Sequence, residues 1–128
     1  MATTLSTAAR NAACNAVVDL VDAGSGAGKI RIKSAGGTVI AEVPFADPAF
    51  GNASTGVATA GSTPLAGAGV AAAGAGTNAA TFDVTDSDNN VIWSGAVGNG
   101  SGELDLDNIS IADGQAISIS SFTHTQPA

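Results

Sequence analysis

The sequence predicts a mainly β protein, an antiparallel β-sandwich or jelly-roll-like domain with one N-terminal α-helix. Three observations predict it. An apolar row at three- and four-residue spacing runs over 5–22 and then stops. Beyond it the alternation switches to period two, most plainly in Lys29-Ile30-Arg31-Ile32-Lys33 and Glu103-Leu104-Asp105-Leu106-Asp107. Short segments of this kind are separated by Gly, Asp and Asn turns, the punctuation of antiparallel strands.

The helix comes first. Leu5, Ala9, Ala12, Ala13, Ala16, Val17, Leu20 and Val21 form its apolar row, whose narrow alanine face lets another backbone approach closely; this helix and the uncharged 48–82 stretch, where the alanines concentrate, are the leading candidates for contact surfaces. Cys14 lies just off that row, as a small, partly buried residue. Thr4 or Ser6 is placed to cap the start, and Gly24 to end the helix. Arg10 lies early while Asp19 and Asp22 lie late, against the helix dipole, so the helix depends on packing.

Gly24-Ser25-Gly26-Ala27-Gly28 is a spacer, and Lys29–Lys33 with Thr38–Val43 forms a hairpin around Gly36-Gly37. Pro44 and Pro48 keep a central strand out of the 44–51 loop, where Phe45 and Phe50 are aromatic anchors. No charge occurs between Pro48 and Phe82, and the Ala/Gly-rich segment 51–80 suits either small-residue strands or an irregular arm. A second hairpin pairs Ala80–Thr85 with Val91–Val97 around the turn Asp86–Asn90. The Glu103–Asp107 strand continues through Asn108–Ile111, Asp113-Gly114 turns, and Gln115–Thr123 is the last strand. Residues 1–128 are thus read as one domain, a helix over 5–22 and a sandwich over 29–124.

Composition narrows the function. Of the 128 residues, 27 are alanine, which leaves only 30 larger apolar side chains for a core. A supply that thin points to a chain stabilised by a partner. One Cys excludes an intramolecular disulfide, and one His leaves no His-based zinc site. Met-Ala-Thr-Thr-Leu lacks the basic start and apolar run of a signal peptide, which predicts synthesis in the cytoplasm, and no 18-residue apolar stretch predicts a membrane span. Residues 1–78 carry four acids and all four bases, whereas 79–128 carry seven acids and no base. An acidic half of this kind repels nucleic acid.

Motifs for chemistry fail on their own requirements. Gly24–Lys29 resembles a phosphate loop but follows a helix, precedes a strand, and has Ile30 where a hydroxyl is needed. Asp86-Ser87-Asp88-Asn89-Asn90 opens like a calcium loop, yet Val91 and Val97 stand where Gly and Glu should. A hairpin turn explains the same residues. Asp105 and Asp107 share a strand face without cleft residues around them, and His124 near Ser120 and Ser121 reads as a frayed terminal residue. Trp93 and the four phenylalanines barely supply a core, which disfavours a sugar-binding platform. No catalytic residue, cofactor or metal site is therefore expected.

One resemblance carries more. Leu5–Ala12, Ala16–Gly26, Phe45-Ala46-Asp47-Pro48-Ala49-Phe50-Gly51, Phe82–Trp93, Leu104-Asp105-Leu106 and Ile117–Phe122 together resemble small virion proteins of tailed bacteriophages. They cover about half the chain. The resemblance implies a structural, non-enzymatic role, best matched by a head decoration or cement protein on the outside of an HK97-like capsid lattice. Its partners would be the major capsid protein and copies of itself. Candidate interface residues are Arg10, Lys29, Arg31, Lys33, Phe45 and Phe50, with the basic strand docking and the acidic half facing outward. The alternative is a tail- or fibre-associated virion protein with a receptor- or carbohydrate-binding role.

Overall fold

The computed structural model describes residues 5–46, 49–61, 65–98, 104–106, 109–119 and 122–125. Helix α1 (Thr7–Asp19) leads into a 3-10 turn (Leu20–Asp22). The strands follow: β1 (Lys29–Lys33), β2 (Val39–Pro44), β3 (Val57–Thr59), β4 (Leu65–Gly69), β5 (Thr77–Asn78) and β6 (Thr81–Thr85). After them come β7 (Val91–Gly98), β8 (Leu104–Asp105), β9 (Ser110–Ile111), β10 (Ala116–Ile119) and β11 (Thr123–Thr125). The protein is mainly β with one N-terminal helix.

Seven strands form the main sheet in the order β10-β4-β2-β1-β6-β7-β8, and β11-β3 and β5-β9 form two-stranded ribbons. Pairing is antiparallel except between β7 and β8, which run parallel. Both expected hairpins are present, β1–β2 in the register Ile30↔Val43 and β6–β7 in the register Val84↔Trp93. The uncharged segment supplies β3, β4 and β5, so alanine and glycine here build strands. With Ala66 and Ala68 outward and Leu65 inward, β4 fits between β2 and β10. The expected closing strand is divided, because β10 pairs with β4 whereas β11 leaves for β3.

The inner face of the sheet carries Ile30, Ile32, Val43, Phe82, Val84, Ile117 and Ile119, all buried. Phe122 brings the β3–β11 ribbon against it, edge-on to Phe82 at 5.6 Å. Helix α1 packs on the other side of this ribbon, against β3 and β11.

The helix buries only part of its apolar row. Ser6 caps it, accepting the Ala9 N–H at 3.1 Å, and Thr4 lies outside the described residues. Its buried residues are Cys14 and Val18, with Val21 in the following turn. Leu5, Ala9, Ala12, Ala16 and Leu20 face solvent, Leu5 being 41% and Leu20 50% exposed. The cause is polar. On the buried side Asn11 Oδ1 accepts the Gly56 N–H and Asn15 Oδ1 the Ala53 N–H, both at 2.8 Å. Just beyond the helix, the Asp22 carboxylate accepts the Ala49 N–H at 3.0 Å. These bonds satisfy a loop that has few partners of its own, and each contributes about 0.5–1.5 kcal/mol. Gly24 does not end the helix; it admits the Ser87 side chain, which a Cβ there would strike.

Candidate functional site

The outer face of the main sheet carries the basic strand. Alternation puts Lys29, Arg31 and Lys33 on it, and register sets Glu42 of β2 and Asp83 of β6 opposite Arg31. Lys29 Nζ lies 3.7 Å and Arg31 Nε 3.3 Å from Glu42 Oε2, and Lys33 pairs with Asp83. Ser94 donates a 2.6 Å hydrogen bond to Asp83 from β7. Burial pushes the Asp83 carboxyl up, but the hydrogen bonds from Lys33 and Ser94 and the charges of Lys33 and Arg31 outweigh it and hold the group below the ordinary carboxylate range.

Three cations thus meet two carboxylates. The basic strand is not the free positive face expected of it, and one acid of the acidic half lies inside its ion-pair network. Alanines flank the network. Ala66 and Ala68 border an open depression of about 580 Å³ beside Lys29, Glu42 and Pro44.

The other predicted interface residues scatter. Phe45 and Phe50 are buried, 5.2 Å apart between ring centroids, and both pack on Phe122. They belong to the core and offer no surface. Arg10 lies over Gly56, where an added Cβ would come within 2.6 Å of the guanidinium.

The Asp86 turn is closed on itself. The Asp86 carboxylate accepts N–H groups of Asp88 at 2.9 Å and Asn90 at 3.0 Å, and the Asn90 side-chain amide at 3.0 Å. The Asn90 bonds, side chain then backbone, lead in holding this carboxyl below its usual value. Asn89, at φ 66°, takes the left-handed conformation the turn needs. Among the described residues no group of three or more His, Cys, Asp or Glu side chains is placed to hold a metal ion. Of the acidic strand, Leu104 and Leu106 are buried, while Glu103 and Asp107 lie outside the described residues.

Two features appear only in three dimensions. The first is how the apolar row along α1 divides: Leu5, Ala9, Ala12, Ala16 and Leu20 face outward, whereas Val21 is buried. The second is a cavity of about 310 Å³ where β7 meets β11. Its rings are Phe82, Trp93, Phe122 and His124; Ser94, Thr123 and Thr125 complete the wall. His124 is no frayed terminus: in β11 it pairs with Ala58 of β3, and its ring centroid lies 4.5 Å from that of Trp93. Its Nε2 is buried without a hydrogen-bond partner, and burial pushes its pKa down.

No family model, curated protein or solved structure matches the chain. Among those described, no helix is long and apolar enough to cross a membrane.

Proposed function

We propose that this chain is a structural protein of a tailed-phage particle, a head decoration or cement protein that docks on the major capsid protein and clamps the lattice from outside. The β-sandwich body common to such proteins is part of this reading. One observation supports it beside the sequence resemblance: the solvent-facing row Ala9, Ala12 and Ala16 on α1, with Leu5 and Leu20 flanking it. Small side chains let another backbone approach closely, and the leucines at both ends add apolar area to bury. The core does not use this face, so a partner can take it at no cost to the fold. Of the docking candidates, the basic strand has its cations paired, which favours the helix.

Counting copies per particle tests the proposal. Quantitative mass spectrometry of purified virions encoding this chain should find hundreds of copies. A handful would move the protein to the tail or a fibre, and none would overturn a virion role.

A further inference from the structure

The cavity between β7 and β11 has the chemistry of a ligand site. The phenylalanines are consumed by the core, but Trp93 is only half-buried and contributes its indole to the cavity wall. Among the described residues no charged side chain lines it. A charged ligand would leave water there with no counter-charge, which is unfavourable. A purely apolar ligand would cover the polar groups of Ser94, Thr123 and Thr125 without replacing their hydrogen bonds with water.

Ser94 shows what kind of polar group is offered. Its hydroxyl is held by Asp83 on the opposite face of the sheet. Val97 donates its N–H to Ala80, so ladder alternation turns the Ser94 N–H and C=O away from β6. The cavity therefore meets a backbone donor and acceptor beside aromatic rings. At about 310 Å³ it lies at the small end of ligand sites and admits one ring.

We propose that this cavity binds a neutral polyhydroxylated ring, a single pyranose unit, with its C–H face against Trp93 and His124 and its hydroxyls on the Ser94 backbone and the polar groups of Thr123 and Thr125. This site is independent of the α1 docking face and of the capsid assignment.

The chain contains one tryptophan, so its fluorescence reports on this cavity alone. Titration of the full chain with methyl pyranosides of glucose, galactose, mannose and N-acetylglucosamine should change Trp93 emission saturably for at least one sugar. A ligand of this size predicts a dissociation constant of about 1–10 mM. Amide chemical shifts should move at Trp93, Ser94 and Thr123–Thr125. Trp93→Phe should weaken binding about tenfold, read by ligand-observed NMR, with the thermal transition still cooperative. If no pyranoside gives a saturable response up to about 50 mM, well above that constant, the proposal fails. It fails equally if the shifts map elsewhere, if only apolar rings such as indole bind, or if Trp93→Phe folds and binds sugar unchanged.

Discussion

Asn15 reaches across the helix–loop boundary to Ala53, its Oδ1 accepting the backbone N–H at 2.8 Å. With Asn11 on Gly56, this bond decides which side of α1 is buried. Asn15→Ala leaves a part-buried N–H without its partner and should cost about 1–3 kcal/mol in urea unfolding. Ala16→Ser, on the exposed side of the same turn, should stay within about 0.5 kcal/mol. Equal effects at the two positions would show that the helix is not oriented this way.

Gly56 is needed twice. Its φ is +78°, and the Arg10 guanidinium occupies the space of a Cβ. Gly56→Ala should destabilise the protein by more than about 1 kcal/mol. Combining it with Arg10→Ala should recover only the steric part, measurable as a non-additive double-mutant cycle in chemical denaturation.

Acid should weaken the sheet through Asp83. Its folded pKa is lowered, so its contribution is present above the unfolded value of 3.8 and is lost as pH falls through the folded one. Asp83→Asn should cost about 1–3 kcal/mol at neutral pH, by weakening the bonds from Lys33 and Ser94. The loss of stability below pH 3.8 should then be shallower than in the parent protein, as followed by circular dichroism.

His124 acts in a higher window. Burial lowers its pKa from 6.5, so both folded and unfolded chains carry it neutral well above that value. As pH falls below 6.5 the unfolded chain takes up the proton first, and stability declines until the folded pKa is passed. His124→Phe should abolish this decline in melting temperature. Its retention in the variant would assign the effect to another group.

The outer row of α1 gives the docking prediction. Ala12→Glu and Leu20→Asp should leave stability within about 0.5 kcal/mol, because both positions are exposed. Occupancy on virions should fall about tenfold or more, since each variant buries an unpaired charge on docking. Reversing Lys29, Arg31 and Lys33 should instead cost fold stability, since the new acids would face Glu42 and Asp83. Normal occupancy of the helix variants would remove α1 as the docking face.

By itself the sequence determined the local elements whose pattern and turn chemistry agree. The Ile30/Ile32 alternation and the Gly36-Gly37 turn specify β1 and β2, and Asp86–Asn90 specifies the β6–β7 turn, because these are short-range effects of φ/ψ preference and of one buried face. Tertiary structure decided what depends on distant partners. Which side of α1 is buried was set by two asparagines meeting backbone N–H groups about 40 residues away, a polar match that hydrophobic periodicity does not register. It likewise divided 115–125 between two sheets and neutralised the basic strand with Asp83. It left Trp93 at a cavity mouth while the phenylalanines filled the core. Alternation along one strand cannot reveal such pairings, because they depend on which strand lies alongside and in what register.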